Sequence, residues 1–158
     1  MSVSVRSAVE ADIPRIMDLL SQVLEIHAAI RPDVFRPGTT KYSPAELRRI
    51  LADDRTPVFA AVDETGRLIG YAFCVLKESS SAVMRPSRLL YIDDLCVDAQ
   101  VRGRHIGKLL FDHAVGYARS LGCQTVTLNV WSGNDNAQAF YLKMGMRPRS
   151  VTMEYPLD

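Results

Sequence analysis

The chain moves between two apolar rhythms. Residues 3–9, VSVRSAV, alternate between apolar and polar side chains from Val3 to Arg6, the spacing of a half-buried strand. From residue 10 the spacing lengthens. Ile13, Ile16, Met17, Leu20, Val23, Leu24 and Ile26 recur every three or four residues, which predicts an amphipathic helix over 10–30. Asp12 is its expected N-cap, and Pro14 falls in the first turn, where a missing N–H loses no partner. The stretch 31–42 has two prolines and a glycine and reads as a loop. A short helix follows, with Ser43 as cap, Pro44 at its first position and Glu46 closing a capping box.

Strand rhythm then returns. Residues 58–62 and 68–76 flank the turn Asp63–Arg67 and predict a hairpin. A polar segment, 78–87, leads to RLLYIDDLCVD at 88–98, whose nearly unbroken apolar run suits a central strand covered on both faces. A helix is expected from Ile106 to a stop at Gly122, a strand at 124–130, and a short helix from a polar cap to Gly145. The run MRPRSVTMEYPL, 146–157, is expected as a last strand. The order β, α, α, β, β, β, α, β, α, β predicts an α/β fold, one mixed sheet with helices on both faces.

Composition narrows the function classes. The chain has 158 residues and a formal net charge of +1, with no long Lys/Arg run. That argues against a nucleic-acid or anionic-membrane surface. No apolar stretch is long enough to span a membrane, and the first dozen residues lack a signal-like apolar core, so the cytoplasm is the expected compartment. Cys74, Cys96 and Cys123 are odd in number, widely spaced and embedded in apolar segments, which predicts buried thiols. His27, His105 and His113 lack a metal-ligand spacing, and no metal site is expected.

One stretch carries candidate chemistry. VRGRHIGKLL, 101–110, is a small, donor-rich turn between a strand and a helix. A helix N-terminus exposes unpaired N–H groups and a partial positive charge, and a tight turn feeding it adds more donors. Such a turn can hold a phosphate or pyrophosphate. Glycines let the backbone come close, and Arg102, Arg104 and Lys108 add charge. The plain alternative is an ordinary turn. The stretch is neither a Walker loop nor GxGxxG, because only Gly103 and Gly107 are present.

Residues 89–146 as a whole resemble the GNAT family, the GCN5-related N-acetyltransferases. The family's acetyl-CoA loop, Q/R-x-x-G-x-G/A, is matched by Arg102-Gly103-Arg104-His105-Ile106-Gly107, with His105 where the first glycine usually stands. LCVD before the loop is similar to the family's central strand. NDNAQAFYLKMGM resembles its NxxAxxxYxxxGF segment through Asn134, Ala137, Tyr141 and Gly145, with Met146 replacing Phe. The resemblance implies one GNAT-like domain over 1–158, with a central mixed sheet of six to seven strands and about four helices.

It also implies an acetyl-CoA-dependent N-acetyltransferase acting on a primary amine, whether of a small molecule, an amino acid or a peptide. By resemblance, backbone N–H groups around Gly103, Arg104, His105, Gly107 and Lys108 hold the CoA pyrophosphate, with help from Arg102. The pantetheine arm pairs with the strand edge at Leu95 and Val97, where the sheet splays between 88–98 and 124–130. A backbone N–H near Leu95 meets the thioester carbonyl. Tyr141 matches the family's tyrosine that protonates the leaving sulfur; the alternative is an aromatic packed beside Phe140. Asp93 and Asp94 are candidate bases. Adjacent strand residues face opposite sides, so only one is expected to point at the acceptor, and Asp93 is preferred. Tyr91 lies on the same face as Asp93. Asn134 flanks the cofactor or simply caps its helix. His27, Asp33 and Phe35 are candidates to line the acceptor pocket, or else belong to a surface turn. The resemblance leaves room for a homodimer through edge-strand pairing at the C-terminus. A non-catalytic acyl-CoA sensor is the competing reading.

Overall fold

In the computed structural model, which describes residues 2–157, the chain builds one five-stranded sheet with helices on both faces. The strands are β1 (Ser4–Ser7), β2 (Val58–Val62), β3 (Leu68–Ser79), β4 (Ser87–Val97) and β5 (Thr125–Leu128), and they lie side by side in chain order. All neighbours are antiparallel except β4 and β5, which run parallel. The helices are α1 (Ile13–Ile30), α2 (Pro44–Ala52), α3 (Ile106–Ser120) and α4 (Asp135–Lys143).

Each face of the sheet has its own core. On one, Ile13, Ile16, Leu19 and Leu20 of α1 and Leu47 of α2 bury against Val58, Ala60, Tyr71 and Phe73. These α1 positions are three or four apart, as an apolar stripe facing a sheet requires. On the other, Ile106, Leu110, Phe111, Ala114 and Ala118 of α3 pack on Phe59, Ala61, Ala72, Leu90 and Ile92. Strands β2 and β3 are apolar at consecutive positions because both their faces are covered.

Local signals set the boundaries. Ser43 Oγ accepts from Glu46 N at 3.2 Å and Ser43 N donates to Glu46 Oε1 at 3.1 Å, the reciprocal box expected for α2. Asp12 stands at the N-cap position of α1 as expected, but its side chain makes no capping bond to the helix. Its carboxylate accepts from Val9 N at 2.8 Å and from both Arg6 NH groups at 2.7 and 3.0 Å, closing the turn that precedes the helix. Salt-linked Asp12 thereby ties β1 to the start of α1.

The sheet is also smaller than the six to seven strands expected. Residues 146–157 form no strand. Their alternation is real, but a strand needs a neighbour to bond, and the tail runs free of the sheet. Strand β3 runs to Ser79 and β4 begins at Ser87, so the polar connection shortens to 80–86.

Candidate functional site

The site begins with a fault in β4. Ile92 pairs with Cys74, yet Asp94 pairs with Phe73, so Asp93 is an extra residue opposite no partner. This β-bulge changes which side chains face which core. Before it, Leu90 and Ile92 point to the α3 side; after it, Leu95 and Val97 do. Both acids consequently face the α1 side. The expectation that alternation would send Asp93 and Asp94 to opposite faces fails here, because the bulge removes one step of the alternation.

The two carboxylates have different company. Asp93 Oδ2 accepts from Lys41 Nζ and from Tyr42 OH, each at 2.8 Å. Asp94 Oδ2 accepts from Tyr71 OH at 2.7 Å. Tyr71 is fully buried, and its partner keeps only partial contact with water. Burial pushes the Asp94 carboxyl up to about 6, although the Tyr71 hydrogen bond, the Lys41 charge and the nearby Leu95 N–H favour its charged form and Asp93 opposes it. Tyr141, on α4, is pushed above the usual phenol range, by burial first and then by the charge of Asp94. Its ring stands edge-on to Phe140 at 5.1 Å.

Beyond the bulge the sheet parts. Strand β5 pairs with β4 only from Leu89 to Ile92, and β4 runs five residues further, to Val97, with no strand beside it on that side. Asp98 N donates to Ile69 O on β3 at 2.9 Å. Amides along a strand point alternately to its two edges, so the N–H groups of Val97 and Leu95 point away from β3, at the open edge.

The turn at 98–107 stands at the end of that edge. Asp98 anchors it: its carboxylate accepts from Arg15 at 2.7 Å and from Gln100 N at 3.1 Å. Arg102 Nε reaches back to Val97 O at 3.3 Å, so this guanidinium holds the loop. Gly103 has φ 84° and His105 φ 61°, both left-handed. For His105 that is a strained conformation which glycine would adopt freely. Among the described residues, no protein acceptor meets the N–H groups of Arg104, His105, Ile106, Gly107 or Lys108. Lys108 pairs with Asp112 one helical turn on. Gly107 has a second reason to lack a side chain: a Cβ there would lie 3.2 Å from the Phe140 ring. Its absence lets α4 pack close enough to bring Tyr141 in. These donors and the open edge fit a diphosphate with an amide-bearing arm.

The other expected residues divide. His27 and Phe35 stack at 5.1 Å, and Phe35 meets Trp131 edge-on at 5.3 Å. Burial, then the Lys41 charge, lowers the His27 pKa and favours the neutral ring. Asp33 turns outward instead, onto Arg31 at 2.7 Å. Tyr91 shares the face of Asp93, where its hydroxyl accepts from Asn129 at 3.1 Å and Lys77 lies 4.2 Å over its ring. Asn134 caps α4, accepting from Ala137 N at 3.4 Å. Lys41, Tyr42 and Tyr71 are the residues sequence reasoning missed. Their contacts with the acids span 23 to 52 positions, and no local pattern could have signalled them.

Comparison with known proteins places the chain in a family. The acetyltransferase (GNAT) family model matches residues 20–146. A peptidyl-lysine N-acetyltransferase, YjaB of Salmonella typhimurium, is 30% identical over 105 residues, covering 65% of this chain and 60% of that protein. A glucosamine 6-phosphate N-acetyltransferase of Arabidopsis thaliana is 28% identical over 102 residues, covering 56% of this chain and 66% of that protein. The matches thus span less than two thirds of these relatives' own lengths. The crystal structure of a mutant of the BH1408 protein from Bacillus halodurans superposes with a TM-score of 0.94 at 32% identity, covering 98% of this chain and 99% of that one. With the family's model matching most of its length, the chain belongs to the GNAT acetyltransferase family.

Proposed function

We propose that this chain is an N-acetyltransferase that moves an acetyl group from acetyl-CoA directly to a primary amine. The observation that carries the reading is the open edge of β4: the amides of Leu95 and Val97, turned away from β3, lie along the chain between Asp94 and the unpaired donors of Arg104–Lys108. Acetyl-CoA would supply a thioester already activated toward amines.

The chain's residues then divide the work. The N–H groups of Arg104–Lys108 receive the pyrophosphate, as a helix N-terminus does. The Leu95 N–H donates to the thioester carbonyl oxygen as it gains negative charge. Asp94 takes the proton that the amine must lose; with its pKa near 6 it is ionised at neutral pH and remains basic enough to serve. The amine nitrogen forms its bond to the carbonyl carbon while the carbon–sulfur bond breaks. Tyr141, kept protonated by burial, donates its hydroxyl proton to the departing sulfur and is reprotonated from water. Asp93 is occupied by Lys41 and Tyr42, so its role is to shape the acceptor side, with His27, Phe35 and Trp131 as the wall beyond.

Release of free thiol from acetyl-CoA, measured with a panel of small amines and lysine peptides, tests the reading. Tyr141→Phe is expected to lower kcat by about 10²-fold with acetyl-CoA affinity little changed, the scale of a lost general acid. Tight acetyl-CoA binding without thiol release on any amine would favour a sensor and overturn the assignment.

A further inference from the structure

The bulge in β4 already holds a primary amine. Lys41 Nζ donates to Asp93 Oδ2 at 2.8 Å and lies 5.5 Å from the centre of the Tyr42 ring. The chain's other lysines are placed differently: Lys77 covers Tyr91, Lys108 pairs with Asp112, and Lys143 ends α4. Among the described residues, Lys41 is the one lysine bonded to either acid of the site. Its segment, 31–43, joins α1 to α2 and contains neither helix nor strand. No backbone–backbone hydrogen bond is made by 36–42, and Gly38 N is tied to the Glu25 side chain at 3.0 Å. A stretch so lightly held shifts at little cost. The Lys41–Asp93 pair is itself partly open to water, so it adds little net stability and its ammonium can leave.

The place it would go is next door. The bulge sets Asp93 and Asp94 on one face, and consecutive Cα atoms are about 3.8 Å apart, so the ammonium passes from one carboxylate to the other without crossing the sheet. The Lys41 charge already bears on Asp94. Leu95, whose N–H is given the thioester oxygen, is the following residue.

We infer that Lys41 is an acetyl acceptor of its own site, modified in cis when acetyl-CoA is bound; this rests on the acetyltransfer reading above. The Lys41 ammonium gives a proton to Asp94, and the neutral Nζ bonds to the carbonyl carbon while the carbon–sulfur bond breaks. Of its three protons, one passes through Asp94 to water. One replaces, through water, the proton that Tyr141 gives the sulfur. One stays on the amide nitrogen. The products are Nε-acetylated Lys41, free CoA thiol and a proton. The modification also retunes the site. Tyr42, Tyr71, Cys96 and Tyr141 couple to Asp94 as well, but each is pushed upward and stays neutral at neutral pH. Lys41 and Asp93 are therefore the charges that bear on Asp94. With the Lys41 charge gone, Asp93 acts unopposed and Asp94 holds its proton to higher pH.

The test incubates the protein with acetyl-CoA and no added amine, at several protein concentrations, and follows Lys41 by peptide mass spectrometry. One acetyl group on Lys41 is expected, formed with a first-order rate constant independent of protein concentration. Tyr141→Phe should slow its formation by about 10²-fold. Lys41→Arg keeps a cation for Asp93 and should abolish both the modification and the thiol release seen without amine. Lys41→Gln, uncharged like the product, should move the lower pH limb of turnover on an added amine upward. Four results would each overturn the inference: Lys41 left bare, modification as fast in Tyr141→Phe, a rate constant that grows with protein concentration, or a pH limb that does not move. Thiol release with the amine panel, run alongside, separates the two readings. Release on an added amine while Lys41 stays bare would refute self-acetylation and leave the N-acetyltransferase standing. No release with or without amine would refute the acetyltransfer reading itself.

Discussion

His105 holds a left-handed backbone at the entry to α3 without the glycine that such a turn favours. A side chain in that region carries about 1–2 kcal/mol of strain, and glycine gives back part of that gain through a more flexible unfolded chain. His105→Gly is therefore expected to raise stability by about 0.5–1 kcal/mol, read as a higher unfolding midpoint. Asp94 is the residue at which stability and activity oppose each other. Its carboxyl titrates near 3.8 when free and near 6 when folded. Between those values the native state keeps a proton that the unfolded chain has released, so stability falls as pH rises through the window and stays lower above it. Asp94→Asn retains an acceptor for Tyr71, and is expected to be more stable at pH 7 by on the order of 2 kcal/mol. It should also erase the rise in turnover as pH climbs through about 6. A denaturant titration and a pH–rate profile of one variant check both. The two acids were visible in the sequence as a costly pair in an apolar strand. Their shared face was not, because it depends on β4 carrying one residue more than β3 opposite it.

At the scale of elements, two contacts set where the site's parts stand. Arg15 on α1 reaches Asp98 at the end of β4, and its Nε also donates to Leu68 O at 3.1 Å. Asp98 is buried, so Arg15→Leu would leave a carboxylate with Gln22 and Gln100 nearby but no charge to answer it. A loss of roughly 3 kcal/mol is expected in denaturant unfolding. Between α3 and α4, Gly107→Ala would set a Cβ against the Phe140 ring and push α4 outward. Because Tyr141 rides on that helix, kcat should drop by about ten- to a hundredfold while the unfolding midpoint moves little. Capping residues made several elements legible: Ser43 and Glu46 for α2, Asn134 for α4. The tail at 151–157 shows the opposite case. A period of two reveals that one face is apolar, but a strand also needs a neighbour to bond, and the spacing does not supply one.

The whole molecule has two cores sharing one sheet. Leu47 is buried on one side and Leu110 on the other, each with no exposure. Leu47→Ala and Leu110→Ala should each remove about 2–5 kcal/mol and shift one common unfolding transition, since β2 and β3 belong to both cores. Two separable transitions would show that the faces melt apart. The general architecture was legible from apolar spacing, whereas the parting of β4 from β5 was expected only through the family resemblance, because it is a relation between strands more than thirty residues apart. The extra residue in β4 reaches further still. Deleting Asp93 would make Ile92 and Asp94 neighbours opposite Cys74 and Phe73, and Leu90, Ile92, Leu95 and Val97 would all keep the α3 side. Taking a residue from anywhere else in the strand would instead turn one half of it over, because a single step exchanges the two faces. This is therefore the one position in β4 where the floor of the molecule tolerates a change of length, and a lineage that dropped this acid would keep both cores.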